Sequence, residues 1–355
     1  MDRLNKLRKL MRENDIENLL VTSGENLLYY SGFTGGEAYM LLCSDKAYLF
    51  TDFRYKEQIR NETTGFEILI IKKSLESDLA CFLNDLKIKK LFFESSLTYI
   101  SYSKINTAAK ECELACSPDI VDLPRQIKDE KEISLIKRSC EIASDAFSGI
   151  LSYVRPGIRE KELALELEYL MKKSGAEDIS FKSTVASGKR SSLPHGTASD
   201  KMISSNDIIT FDFGARYKGY CSDITRTVFI GSCTKKQREV YEVVLEAQKA
   251  ALAFISPGKS CFEADYRARQ IISEKGYAGN FGHGLGHGVG LMIHERPRLS
   301  PLADKSDMLE SGMTVTVEPG VYIEDGFGVR IEDTVLITNN GVDVFTKPEK
   351  EIIIL

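Results

Sequence analysis

Three of the four histidines in this chain, His283, His287 and His294, fall in the stretch GHGLGHGVGLMIHERP, with a glycine at every second place from Gly282 to Gly290. Imidazoles are common metal ligands and the side chains best suited to moving protons near neutral pH. His294-Glu295 begins the zinc-protease pattern H-E-x-x-H, but Arg298 stands where the second histidine is required. A helix stacking His283 over His287 is disfavoured, because each interior glycine would cost it about 1 kcal/mol. The stretch therefore reads as an extended or irregular strand, in which glycines let the backbone approach a ligand or another strand closely. On such a strand His283 and His287 share a face, and His294 falls on the other unless a bulge intervenes.

Two further stretches bring carboxylates together. In NDIITFDFGARYKGYCSDITRTVFIG, Asp212 and Asp223 lie in β-rich runs on either side of the turn-prone Tyr217-Lys218-Gly219. A hairpin centred between Tyr217 and Lys218 sets the two aspartates directly opposite each other, with Cβ atoms about 4.5–5.5 Å apart. MTVTVEPGVYIEDGFGVRIEDTVLI repeats the arrangement with glutamates. A turn centred on Asp325, with Gly326 free to take positive φ, sets Glu318 opposite Glu332. One acidic pair alone would suit a solvated hairpin face; two pairs embedded in apolar strands point to an interior cluster.

Four carboxylates in an apolar setting raise one another's pKa, and desolvation adds to the cost of ionising them. Two divalent cations would balance the four negative charges, and bridging carboxylates hold such ions about 3.5–4 Å apart for hydrolysis. A ligand set rich in oxygen, with one or two imidazoles, suits Mn²⁺, Co²⁺, Fe²⁺ or Zn²⁺ rather than a structural cysteine-type zinc site.

These residues need a scaffold, and at 355 residues the chain exceeds what a single core usually supports, so two domains are expected. Over residues 1–122, the runs ENLLVTS, AYMLLCS, KAYLFTD, FEILIIK and KKLFFES read as strands, while 1–14, 53–62 and 75–87 read as helices. That alternation predicts an α/β N-terminal domain. SPDIVDLPRQIKDEKE, with two prolines and dense charge, reads as a linker entering a helix. Within 123–355, helical periodicity covers 129–151, 160–174, 235–254 and 261–275, with the breaker Pro156-Gly157 between the first two. The segments 183–188, 207–213, 223–230, 313–323, 328–337 and 342–346 are rich in β-formers, so an α+β second domain is expected.

Composition narrows the function class. Hydrophobic residues at 43% and charged residues at 28% are ordinary for a globular chain, which argues against disorder. The net charge of −5 and the absence of a long basic run point away from a nucleic-acid partner. No apolar stretch approaches the roughly 18 residues of a membrane span, and MDRLNKLRKLM has helical spacing rather than a signal core, so a cytoplasmic protein without a membrane partner is expected. The eight cysteines are scattered, and their one close pair, Cys112 and Cys116, has no second pair to complete a zinc site; free thiols are expected.

With STVASG and LPHG at 183–196, FDFGARYKGYCSDITRTV, GHGLGHGVGLMIHERPRLSP, VEPGVYI and GVRIEDTVLI, the chain resembles the pita-bread metallopeptidases. That family (M24) includes aminopeptidase P, prolidase, methionine aminopeptidase and the metal-free creatinase. The resemblance spans the whole chain and implies two similar catalytic halves wrapped around two divalent ions, Mn²⁺ first among the candidates. It also implies the ligands: Asp223 and Glu332 bridging, Asp212 completing one site, His287 and Glu318 the other. His195 and His294 match histidines that contact substrate and stabilise the tetrahedral intermediate, and Glu318 matches a proton shuttle. His283 matches a residue on the leaving-group side, Arg298 one that some prolidases use for the substrate carboxylate, and Arg330 an arginine near the metals.

The implied reaction is hydrolysis by a metal-bridging hydroxide. NLLYYSGFTGG and YLFTDFRYKEQ resemble the N-terminal domain of aminopeptidase P, prolidase and creatinase, which methionine aminopeptidases generally lack. Since all five ligand positions are kept, the expectation is an exopeptidase cleaving Xaa-Pro bonds in dipeptides or at peptide N-termini. The alternatives are a methionine-aminopeptidase-like specificity and a non-catalytic pita-bread binding protein, although such relatives typically lose ligands. Small peptides are the expected partners, and the resemblance implies a homodimer.

Overall fold

All five apolar runs of the N-terminal part become strands in the computed structural model, which describes residues 2–355. They are Asn18–Val21, Ala38–Cys43, Ala47–Thr51, Glu67–Ile70 and Lys90–Phe93, and a sixth strand, Glu113–Cys116, joins them. Glu67–Ile70 forms one edge of the sheet and Glu113–Cys116 the other, with Asn18–Val21 pairing antiparallel to Ala38–Cys43 and parallel to Lys90–Phe93. Leu20, Leu41, Phe50 and Leu91 from the sheet pack with Leu79, Leu83 and Ile105 from helices. The α/β expectation holds for this unit, Met1–Arg125. Two of its helices carried weaker periodicity and were not expected: Gly24–Ser31, capped by Ser23 and ended by Gly32 at φ 79°, and Tyr99–Ala108, capped by Thr98. The Ser and Thr caps were the available signal.

The second unit, Gln126–Leu355, uses one plan twice. In the first half, helices Glu130–Ile150 and Glu160–Lys173 cover the paired strands Ile208–Phe213 and Ile224–Phe229, burying Ile142, Phe147, Leu163, Leu167, Phe211 and Phe213 together. In the second, helices Lys235–Phe254 and Cys261–Glu274 cover Thr314–Val317 and Asp333–Thr338, burying Val240, Val244, Ala268, Ile272, Val315 and Val317. Side chains of this size each contribute about 1.5–3 kcal/mol when fully buried, so each helix pair is held to its sheet by apolar area. The helix starts are set locally: Asp129, Thr234 and Ser260 each cap a helix while the residue three on returns a side-chain bond. Each half thus carries one antiparallel strand pair with two acids, as the α+β reading and the resemblance require.

The register differs at the first acidic pair. The turn is Lys218-Gly219, both at positive φ (48° and 85°), which suits a tight two-residue hairpin. Pairing then centres between those residues, so Asp212 faces Thr225, not Asp223. The displacement is two positions, which preserves parity, and both aspartates still project from one face as diagonal neighbours. At the second pair the expected register is observed: Gly320 pairs with Arg330 and Val317 with Asp333, which brackets Glu318 against Glu332. The residue at positive φ in that turn is Asp325 (53°), and Gly326 does not need it.

Within the glycine-alternating part of the histidine stretch, 282–290, only Gly286–Gly288 is a strand. It runs between Glu295–Leu299 and Thr314–Val317, and its pairing shifts between His287 and Gly288. A Cβ at Gly286 would collide with the Thr316 carbonyl, and one at Gly288 with the Arg296 carbonyl, so these two glycines are required by close backbone approach. Among the described residues no helix is long and apolar enough to cross a membrane. The eight cysteines are all free thiols.

Candidate metal centre

A cavity of about 660 Å³ in the second unit is lined by His195, Asp212, Asp223, His283, His287, His294, Arg298, Glu318, Arg330 and Glu332. Every residue nominated from the sequence therefore reaches one space. Asp212, Asp223 and Glu332 each offer an oxygen within 4.8 Å of the others'. On the other side of Asp223, His287 Nε2 lies 3.6 Å from Asp223 Oδ2 and 3.3 Å from Glu318 Oε1. Asp223 thus belongs to both groupings, which is the position a bridging carboxylate must take.

Two observations test whether these residues suit metal ions. Asp223 Oδ1 and Glu332 Oε1 are buried with no hydrogen-bond partner among the described residues, an arrangement that costs several kcal/mol unless something electropositive meets them. His287 Nδ1 lies 3.0 Å from the Gly288 carbonyl, which can only accept, so Nδ1 carries a proton and Nε2 is the atom presented to the carboxylates. The donor set fits divalent cations.

Electrostatics agree. Burial, then repulsion from Glu332, Asp212 and Glu318, pushes Asp223 well above the usual carboxylate range. Glu332 is likewise pushed well up, by burial and then by Glu318 and Asp212. Burial raises Asp212 too, against the pull of Arg330. Glu318 behaves oppositely: burial would raise it, but the His287 hydrogen bond and charge outweigh that and hold it at about 2. Three of the four acids therefore resist ionising, and cations would supply the missing compensation.

Around the acids lies a shell that the motif reading missed. Thr225 donates to Glu332 Oε2 at 2.6 Å and accepts from Arg330 Nε at 3.0 Å. Thr316 donates to Glu318 at 3.1 Å and accepts the His287 amide at 3.0 Å. Arg330 also donates to Asp212 Oδ2 and, at 2.6 Å, to the Tyr322 hydroxyl. His283 Nδ1 is held by the Gly284 carbonyl, so Nε2 accepts from Tyr322 at 2.9 Å, and burial lowers the His283 pKa and favours that neutral form. Strand parity was the available signal: Thr225 is two from Asp223, Thr316 two from Glu318, and Tyr322 four from Glu318. Phe181, Lys182, Pro194, Gly284, Gly286, Ile293 and Ser300 complete the cavity wall.

His195, His283 and His294 arrive on loops, whereas His287 lies on the strand Gly286–Gly288. Asp265 accepts the Leu285 amide at 2.9 Å and pairs with Arg269, whose guanidinium donates to the Phe281 and His283 carbonyls, both at 2.7 Å. Glu295, buried against Lys128 at 3.2 Å, accepts the Met292 amide and shapes the reversal that ends at His294. That reversal places the His294 ring 4.5 Å from the His287 ring, centroid to centroid, so His294 joins the same side despite its parity. Burial and the neighbouring His287 lower its pKa. His195 stands exposed at the cavity wall, and Arg298 projects from the strand that pairs with His287.

Comparison with known proteins gives concordant results. The pattern of "Metallopeptidase family M24" matches residues 134–339, and that of "Creatinase/Prolidase N-terminal domain" matches 3–127. The chain is 41% identical to the Xaa-Pro dipeptidase of Pyrococcus furiosus, covering 99% of each chain. The solved Xaa-Pro dipeptidase from Bacillus anthracis is 45% identical with a TM-score of 0.97, covering 100% of this chain and 99% of its own. The X-Pro aminopeptidase from Thermotoga maritima is 39% identical with a TM-score of 0.89, covering 98% and 100%.

Proposed function

The chain belongs to metallopeptidase family M24 and carries a Creatinase/Prolidase N-terminal domain, and from that premise we propose that it is a dinuclear-metal exopeptidase that hydrolyses Xaa-Pro bonds, in dipeptides or at peptide N-termini. The observation that carries this reading is the convergence on one cavity of four carboxylates and His287, with two buried carboxylate oxygens left without a partner among the described residues. In this reading Asp212, Asp223, His287, Glu318 and Glu332 would hold two divalent ions, with Asp223 and Glu332 shared between them, Asp212 serving one, and His287 with Glu318 the other. Mn²⁺ is the first candidate for both, ahead of Co²⁺, Fe²⁺ and Zn²⁺.

When bound, the ions supply a water acidic enough to attack near neutral pH and a Lewis acid for the scissile carbonyl. The protein's own groups do the rest. A Glu318 carboxylate oxygen takes the proton of the attacking water and delivers it to the departing proline nitrogen. His294 and His195, at the cavity wall, meet the oxyanion that develops on the carbonyl oxygen. His283, fixed in one tautomer by Gly284 and Tyr322, shapes the leaving-group side. Arg298 offers its guanidinium to a free substrate carboxylate.

The test is a Mn²⁺-loaded preparation assayed on Ala-Pro and Ala-Pro-Ala. A dipeptidase cleaves the first and rejects the second, and an aminopeptidase cleaves the longer peptide. A fully loaded protein that hydrolyses neither refutes the proposal, and hydrolysis confined to Met-Ala-type peptides would establish the methionine-aminopeptidase-like alternative instead.

A further inference from the structure

The loop 188–198 leaves the strand Thr184–Ser187, carries His195 to the cavity and returns at Ser199. Both of its stems meet on one carboxylate, that of Glu160, the first residue of the helix Glu160–Lys173. Glu160 Oε1 accepts from the Ser187 amide at 2.7 Å and the Ser187 hydroxyl at 2.8 Å. Its Oε2 accepts from the Ser199 amide at 3.0 Å, the Ser199 hydroxyl at 2.6 Å and Arg190 Nε at 3.0 Å. Arg190 then crosses the loop and donates to the Thr197 carbonyl at 2.6 Å.

Glu160 is 0% exposed, and five donors on one buried carboxylate saturate it. Burial alone would raise its pKa, but the Ser199 and Ser187 bonds hold it below the usual range. At the tip the situation is different. Leu193 and His195 are exposed, and near them the loop is tied by the Pro194 carbonyl to Arg330 and by the Ser191 hydroxyl to the Gly328 amide. The loop is therefore held at its base by Glu160 and near its tip by Arg330 and Gly328.

We propose that Glu160 is a positioning residue: by joining the stems at Ser187 and Ser199 and bracing Arg190, it holds His195 where it meets the substrate. This rests on the reading of His195 as a substrate-contacting group. Side chains far from the reacting atoms can act this way because a displacement of about 1 Å at the site costs about a hundredfold in rate.

The experiment is a double-mutant cycle on the metal-loaded full chain, using Glu160→Gln, His195→Ala and their combination, with kcat, KM, metal content and melting temperature measured for each. Glu160→Gln puts an amide nitrogen against N–H donors that need an acceptor; it is expected to lower kcat by about ten- to a hundredfold with metal content unchanged and kcat falling more than KM rises. In the His195→Ala background the same change should lower kcat by less than about twofold, because the group it positions is gone. Glu160→Asp, which keeps the charge but spans less, should recover part of the loss. Arg190→Met removes only the half-exposed brace and gives the same comparison if Glu160→Gln does not fold; a several-fold loss, again absent without His195, is expected. A slow His195→Ala enzyme in which the losses simply multiply, or Glu160→Gln that loses melting temperature but keeps kcat per folded molecule, overturns the proposal alone. A His195→Ala enzyme with wild-type kcat removes the reading of His195 and the proposal together.

Discussion

Asp223 stands between the Asp212–Glu332 oxygens and the His287–Glu318 pair, so its loss removes a contact from both groupings. Asp223→Ala should abolish peptide hydrolysis, by at least about a thousandfold, and lower bound metal measured by mass spectrometry. Near-normal turnover would refute its assignment as a bridge. Thr225 gives a subtler test. Its hydroxyl bonds Glu332 and receives Arg330, so Thr225→Val keeps the shape while leaving both partners short of a bond. Metal affinity should weaken by about ten- to a hundredfold in a competitive chelator titration, the usual range for groups that orient metal ligands. An unchanged affinity would mean that Glu332 is oriented by its strand alone.

At the scale of elements, the helix Cys261–Glu274 does more than cover the second sheet. Asp265 and Arg269, one turn apart, hold the backbone at Phe281, His283 and Leu285, and so fix the entry to the glycine-rich stretch. Asp265 is 1% exposed, so Asp265→Asn leaves Arg269 uncompensated and should cost about 2–4 kcal/mol in urea unfolding. A midpoint within error of the parent would show the pair to be dispensable for folding. These couplings were not legible in the sequence, because hydrogen bonds between residues 12 to 20 apart leave no periodicity. The hairpins were legible, since alternation and turn residues are local. Their weak point was the turn at Lys218-Gly219, where a one-position difference in centre moved each pairing partner by two and replaced a direct acidic pair by a diagonal one without moving either acid to the other face.

For the molecule as a whole, metal binding and stability should be linked through pH. Asp223 and Glu332 are pushed well above the ordinary range. Between about pH 4, where such groups ionise in an unfolded chain, and their folded values, the metal-free fold holds protons that the unfolded chain has released. The unfolded state binds fewer protons there, so these two groups make metal-free stability fall as pH rises through that window. Cations bind the deprotonated carboxylates, so the rise in melting temperature on adding Mn²⁺ to chelator-treated protein should grow between about pH 5 and about pH 8. At an ion concentration about a hundred times Kd the stabilisation is about 2.7 kcal/mol. An increment that is equal at both ends of the range would contradict the proposed role of the two carboxylates.

The amino-acid sequence by itself determined the α/β and α+β character of the two units, the face on which each acid lies and the register that opposes Glu318 to Glu332, because all of these follow from local periodicity and turn chemistry. It also carried the family resemblance through its motifs. Tertiary structure decided the rest. It brought His294 beside His287 through a reversal, left two buried oxygens without partners, and closed the His195 loop on Glu160. Those outcomes depend on which distant backbone groups find a donor or acceptor once the cores have formed, and that matching exists only in three dimensions.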